Sequence, residues 1–328
     1  MAMLETILGA LLPMVVTFLL GFVAARRGAF GPKDATILNR MALRYAVPLM
    51  LFAGTVSTPR ALLSQDLPLL IALGAAIVGL YGAVLLLSLF AFRRRPSTSA
   101  LAALTASAPA VPFSGVLGYL FGGPGAIPIA IASLVINFTV LPVTILLLRL
   151  DTAGEESQGK CPAKDEEHSA SPPTTRGSVL AAKLLGTAKE PIVWVPVLAF
   201  AIVLSGVGIP QLIVHSLSIL GQAAAGVALF GSGIVFASLT IKVDRHVLFL
   251  VFLKNVAQPA LVLGALRWLD YSNPIVSQAV VTTAIPAMPM VILIAAQYRA
   301  AETEAVSAVF LSVIGAVITM GVFIALTS

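Results

Sequence analysis

The residues of this chain whose types and spacing could do chemistry stand in two short proline motifs. Residues 108–112 and 285–289 both contain Pro-Ala-x-Pro inside stretches apolar enough to cross a bilayer. Each proline removes a backbone donor and clashes with the preceding turn, so an α-helix cannot run through either motif unbroken. Backbone groups without helical hydrogen bonds are tolerated at membrane depth only where protein or a water-filled cavity surrounds them. Matched interruptions in two halves of a membrane chain indicate the substrate site of a secondary transporter.

The two motifs are related by a constant offset. Pro109 and Pro286 are 177 residues apart, and Thr105 and Thr282 share that spacing. A helix that restarts after a proline break points free backbone N–H groups and a partial positive charge at the gap. Two such ends that converge would bind an anion without a charged side chain. We therefore expect an anion site where the two motifs meet.

The composition is that of an integral membrane protein. Of the 328 residues, 59% are hydrophobic and only 10% are charged, and the mean hydropathy is +1.01, which excludes an ordinary soluble domain. Runs of roughly 20 apolar residues, each long enough to span ~30 Å of hydrocarbon, recur along the chain. Ten spans are predicted at about 6–25, 41–58, 67–92, 99–121, 124–148, 190–208, 213–239, 247–269, 275–297 and 303–326.

A polar segment divides the spans into five and five. Residues 151–178 contain almost no large apolar side chain, which favours a flexible linker. The predicted domains are a first five-helix repeat at 1–150, a largely flexible cytoplasmic linker at 151–186 and a second repeat at 187–328. Because an odd number of spans reverses the direction of entry, the two repeats are inverted and spans four and nine cross near the bilayer centre.

The distribution of basic residues predicts the orientation. Seventeen of the 20 lysines and arginines fall in alternate connections or at their edges, and the opposite side holds only Arg60 and Arg267. We expect the protein to lie in the inner (plasma) membrane. Its basic side should face the cytoplasm, and both termini should lie outside. Cys161 then lies in the cytoplasmic loop as a reduced thiol. Topology explains the pI of about 9.7, and no nucleic-acid partner is expected.

Lys254 is the one ionisable residue deep inside a predicted span. It either snorkels to the interface or provides a cation that attracts the substrate. Gln258, at i+4, shares its helix face, whereas Asn255, at i+1, does not. No predicted span carries an internal Asp or Glu, so a carboxylate proton relay or a charged sodium cage is not expected, although carbonyl and hydroxyl oxygens could hold Na⁺. No metal site, cofactor or catalytic group is predicted, which argues against an enzyme.

Small polar side chains flank the two breaks. Hydroxyls in membrane helices commonly bond the carbonyl four residues back, or help helices to pack. Thr105 and Thr282 precede the first prolines by four residues and could satisfy the carbonyls that those prolines orphan. The glycines and alanines of span seven, 221–233, predict either close packing within the chain or the face of a homodimer.

The chain resembles the auxin efflux carrier family over nearly its whole length outside the linker. The resemblance lies in span two (38–52), in Phe113-Ser114-Gly115, in Lys254 followed by Pro259, and in 284–286 with 295–298. It implies ten helices in two inverted repeats with crossover helices four and nine, a fold shared with bile-acid/sodium symporters. It also implies transport of organic anions recognised at the crossover. Plant members carry polar Asn-x-Pro-Asn-like residues where this chain has Ser107, Pro109 and Ala110, so auxin is not implied as the substrate.

Together these observations predict an all-α membrane carrier of a small organic anion, a mono- or dicarboxylate such as malonate, working by alternating access. An anion channel and a sodium-coupled symporter of the bile-acid type remain the alternatives. Besides the anion, the expected partners are the lipid bilayer and possibly a second copy of the chain. The candidate substrate-binding residues are Ser107, Pro109, Ala110, Val111, Pro112, Asn137, Lys254, Pro286, Ala287, Met288 and Pro289, supported by Thr105, Ser114, Asn255, Gln258, Thr282 and Thr283.

Overall fold

The computed structural model describes residues 2–57, 67–110, 126–156, 191–238 and 243–327. These residues form eleven helices, and the β-structure among them is a single isolated bridge. The helices are α1 (Ala2–Arg26), α2 (Pro32–Met41 continued through Val47–Val56), α3 (Leu67–Ala91), α4 (Pro96–Ser107), α5 (Ala126–Val135 continued through Leu141–Glu156), α6 (Pro191–Ser205), α7 (Gln211–Ser238), α8 (Arg245–Trp268), α9 (Asn273–Ala284), α10 (Met290–Tyr298) and α11 (Glu302–Thr327).

Five of these helices are long and apolar enough to cross a membrane. They are Leu67–Ala91, Ile127–Asp151, Gln211–Ala237, Arg245–Trp268 and Glu302–Thr327. Large apolar side chains remain exposed along them, such as Ile71 and Ile318, as expected for surfaces that face lipid rather than water. The prediction of an all-α membrane protein is confirmed at this level. The inverted ten-helix arrangement remains a prediction, although each predicted span overlaps a described helix.

Prolines shape the helices that continue through them. Three π-helical turns, Ala42–Ala46, Ile136–Val140 and Leu253–Ala257, each end two residues before a proline. A proline inside a helix clashes with the carbonyl of residue i−4 and donates no hydrogen bond. The wider π turn relieves that conflict, so α2, α5 and α8 continue instead of breaking. Arg44, Asn137 and Lys254 all lie in these turns.

The helices pack in two groups. In the first group α1 packs on α7, while α2 packs on both α6 and α7. The second group contains α3, α4, α5, α8, α9, α10 and α11. Contacts between the groups are sparser, and they run mainly from α10 to α2 and α7 and from α1 to α11.

The small residues of α7 are used inside the first group. A Cβ on Gly233 would overlap the carbonyl oxygen of Phe18 in α1, and a Cβ on Gly221 would lie 2.8 Å from the Cα of Met50 in α2. These glycines therefore allow α7 to approach both neighbours closely, which is the first of the two roles that the sequence suggested. Homodimer formation remains a prediction.

Several predictions fall on other parts of the chain. The linker with Cys161, and the candidate site residues Val111, Pro112 and Ser114, lie outside the described residues.

Candidate substrate site at the helix breaks

The two proline motifs meet in space. α4 ends at Ser107 and α9 ends at Ala284, so both helices stop where the motifs begin. Pro109 and Ala287 then form an antiparallel bridge. The amide of Ala110 donates to the Pro286 carbonyl at 2.9 Å, and the amide of Met288 donates to the Ala108 carbonyl at 3.1 Å. The second motif leads directly into α10, which begins at Met290.

Lys254 and Gln258 close the open ends of both broken helices. The Lys254 ammonium donates to the Thr283 carbonyl at 2.6 Å, in the last turn of α9, and to the Gln258 side-chain oxygen at 2.8 Å. The Gln258 amide group donates to the carbonyl of Ser107, the last residue of α4, at 2.6 Å. Lys254 and Gln258 have no exposed surface. Lys254 therefore does not snorkel to the interface, and its positive charge faces the negative end of the α9 dipole.

A second polar chain supports the bridge from α11. The Ser312 hydroxyl accepts the amide of Ala287 at 2.9 Å and donates to the Asn255 side-chain oxygen at 2.7 Å. The Asn255 amide group returns a bond to the Ser312 carbonyl at 2.8 Å. Ser312 was missed by the sequence analysis, where a lone serine in an apolar span carries almost no signal. The predicted residues Asn255, Gln258 and Lys254 are brought together by the structure.

The flanking hydroxyls do not cap the orphaned carbonyls. Thr105 donates to the Leu101 carbonyl and Thr282 to the Gln278 carbonyl, both at 2.7 Å and both four residues back. A proline at position i orphans the carbonyl at i−4, which is the threonine's own, and a side chain that points toward the helix N-terminus cannot reach it. Ser107 and Thr283 make similar bonds within their own helices.

The amides after the breaks already have protein acceptors. The amides of Ala110 and Met288 donate to carbonyls, and the amide of Ala287 donates to a hydroxyl. In this conformation they are not free donors for an anion. Among the described residues at the breaks, the basic side chain is that of Lys254. Asn137 makes its hydrogen bond outside this network: its side-chain amide donates to Ser133 on the same helix at 3.2 Å.

Charged residues from three segments meet at one end of the second group. The Arg94 guanidinium contacts both oxygens of the Glu304 carboxylate, at 2.8 and 2.7 Å, and the His246 ring nitrogen lies 2.9 Å from one of them. Arg94 follows α3, His246 lies in the first turn of α8 and Glu304 lies in the first turn of α11. Arg94 belongs to the basic connections that the sequence predicts to be cytoplasmic, and its contact with Glu304, which His246 shares, places the three residues at a common end of the molecule.

The comparisons with known proteins identify the family of the chain. Residues 6–324 match the family described as "Membrane transport protein". The chain belongs to this family. The predicted membership in the auxin efflux carrier family is thereby confirmed. Curated relatives include the uncharacterized transporter YfdV of Escherichia coli K12 and its counterparts in E. coli O157:H7 and Shigella flexneri. Each is 28% identical over 330 residues, covering 98% of both chains.

Membership in this family establishes the kind of protein, a membrane transporter. A transporter is in general not an enzyme. The names of the relatives give no substrate, so the cargo and mechanism have to be argued from the site.

Proposed function

We propose that this transporter is a secondary carrier that moves a small organic anion, a mono- or dicarboxylate such as malonate, by alternating access around the two helix breaks. The observation that carries the proposal is a buried cation at the meeting point of two broken helices. Interrupted helices in corresponding places of the two halves mark the binding site in many secondary transporters.

The charge of Lys254 favours an anionic cargo. Its two hydrogen-bond acceptors, the Thr283 carbonyl and the Gln258 side-chain oxygen, are both neutral. A buried ion costs several kcal/mol when no opposite charge compensates it. An anion that enters the break region would supply that compensation, so the site attracts negative charge. Aspartate and glutamate are missing from the described polar network around Lys254, which keeps this attraction available.

The two helix groups suggest how the site could be exposed alternately to each side. The breaks belong to the second group, which is connected to the first by sparse contacts of α10 with α2 and α7, of α11 with α1 and of α5 with α2 and α6. A group held by few contacts can move as a body against its neighbour.

The packing also repeats between the halves, since α1 packs on α7 as α6 packs on α2. This recurrence of the same packing pair, with the two halves interchanged, supports the proposed inverted repeat.

Lys254 also favours transport without sodium. In many secondary transporters the C-terminal carbonyls of broken helices coordinate the coupling ion. Here such a carbonyl, that of Thr283, accepts the Lys254 ammonium instead. We therefore propose a carrier in which a fixed side-chain cation takes the place of a coupling sodium ion.

The test is uptake by purified protein in liposomes. Labelled mono- and dicarboxylates are offered across proton and sodium gradients, with a matched set of proline variants. Pro109→Ala and Pro286→Ala each supply the missing donor and favour a continuous helix, so we expect a loss of at least tenfold, or about 1.4 kcal/mol. Pro13→Ala, in the unbroken helix α1, is the control and should transport normally.

Three outcomes would contradict the proposal. If no carboxylate is transported, the cargo class is wrong. If both break variants transport like Pro13→Ala, the breaks are not the site. If the protein conducts anions without saturation or counter-transport, it is a channel.

A further inference from the structure

Apart from the helix breaks, a cavity with two arginines in its wall lies between the two helix groups. It encloses about 210 Å³ and is lined by α2 and α6 from the first group and by α5 and α10 from the second. This volume is below the roughly 300–1,000 Å³ of pockets that hold drug-sized ligands, so it suits a small molecule. Its polar lining consists of Arg40, Arg44, Gln297 and Tyr298.

The cavity is separate from the helix breaks. Gln297 and Tyr298 stand at the far end of α10, which has 9 residues and is therefore about 13 Å long. α11 begins only four residues after Tyr298, and its Glu304 contacts Arg94. The cavity thus opens at the end of the molecule that the basic residues predict to be cytoplasmic.

The charges in the cavity favour an anion. Arg40 and Arg44 are four residues apart and project to one side of α2. None of the described lining residues is acidic, and the ion pairs found among described residues involve neither arginine. Ile192, near the start of the described part of α6, also lines the cavity.

We propose that this cavity binds a small carboxylate through Arg40 and Arg44, as a cytoplasmic station for the cargo between the two helix groups. A guanidinium recognises a carboxylate with two parallel hydrogen bonds, and two guanidiniums on one face suit a dicarboxylate. The choice of a carboxylate rests on the proposed function, whereas the existence of the anion site rests on the cavity alone.

The test measures protection of a cysteine placed in the cavity wall. In full-length purified protein with Cys161→Ser, the exposed Gln297→Cys is labelled with N-ethylmaleimide in the presence of malonate or of its uncharged analogue malonamide. Malonate should slow labelling and malonamide should not. Arg44→Gln should raise the malonate concentration for half protection at least tenfold, and Arg40→Gln likewise. Leu43→Cys is a second reporter, in case the first perturbs the site.

The controls separate this site from the helix breaks. Arg27→Gln removes an exposed arginine at the end of α1 that does not line the cavity, and protection should be unchanged. Pro286→Ala should cut transport at least tenfold but preserve protection. The inference is overturned if malonamide protects equally, if Arg27→Gln has the same effect as Arg44→Gln, or if Pro286→Ala removes the protection. If protection persists but no carboxylate is transported, the cavity stands and the proposed function falls.

Discussion

Replacing Lys254 with methionine removes the buried cation while keeping a side chain of similar length. The change leaves the Thr283 carbonyl and the Gln258 side-chain oxygen without their shared donor. Each unpaired buried acceptor costs about 1–3 kcal/mol. The variant also escapes the burial cost of an uncompensated ion, which is several kcal/mol. These terms oppose each other, so Lys254→Met should stay folded, with a melting temperature close to that of the wild type.

The effect on transport follows from the distance between the ammonium and the breaks. Ala287 lies four residues beyond Thr283, whose carbonyl is 2.6 Å from the ammonium. With at most about 3.5 Å per residue, an anion at the bridge lies within roughly 16 Å of the charge. An effective dielectric constant of about 20 gives about 1 kcal/mol per carboxylate charge at 16 Å and about 2 kcal/mol at 8 Å. The KM should therefore rise about six- to thirtyfold per charge on the cargo.

Gln258→Leu is the matched variant for this measurement. It also orphans a helix-end carbonyl, that of Ser107, but it keeps the charge of Lys254. It should lower the melting temperature and leave the KM within about twofold, the opposite pattern to Lys254→Met. Both are measured by labelled malonate uptake in liposomes and thermal unfolding in detergent. An unchanged KM in Lys254→Met, or an equal rise in Gln258→Leu, would refute the electrostatic role.

Other expected outcomes test separate parts of the argument. Replacing external Na⁺ by choline should leave the initial rate of carboxylate uptake unchanged, because a side-chain ammonium holds the carbonyl that sodium would need. Gly233→Ala should destabilise the protein by about 1–3 kcal/mol in thermal unfolding, since its new Cβ overlaps α1, whereas Gly264→Ala, with open space around it, should be neutral or stabilising. In a double-mutant cycle of Arg94→Gln and Glu304→Gln, this partly buried pair should show a coupling energy of about 0.5–3 kcal/mol. Cys161 should react with an impermeant thiol reagent only in inside-out vesicles, and labelling of intact cells would contradict the predicted orientation.

The positions of the helix ends at the breaks were accessible from sequence because they depend on local chemistry. A single proline such as Pro48 or Pro259 lies in a helix that continues through a π turn. Two prolines three residues apart remove two donors and add two clashes, so the paired prolines of the two motifs predict the ends of α4 and α9 without any knowledge of the fold. The pairing of Lys254 with Gln258 follows in the same way, from their four-residue spacing on one helix.

The partners that complete the site were not accessible in this way. The Lys254–Thr283 and Gln258–Ser107 bonds join residues 29 and 151 positions apart. No local pattern encodes which carbonyl a long side chain reaches once other helices pack around it. The expected role of Thr105 and Thr282 failed for a different reason. The carbonyls that Pro109 and Pro286 orphan belong to the threonines themselves, and the two hydroxyls bond the carbonyls four residues back.

The bond between Gln258 and the end of α4 has a consequence for biosynthesis. Gln258 follows Ser107 by 151 residues, which the ribosome adds at about 5–20 per second, so roughly 8–30 s pass between synthesis of the two partners. During that interval the first half is in or near the bilayer with the Ser107 carbonyl still waiting for its donor. An unsatisfied carbonyl in hydrocarbon costs several kcal/mol. In the nascent first half, the end of α4 must therefore stay hydrated or shielded from lipid. When α8 is synthesised later, it completes both halves at once.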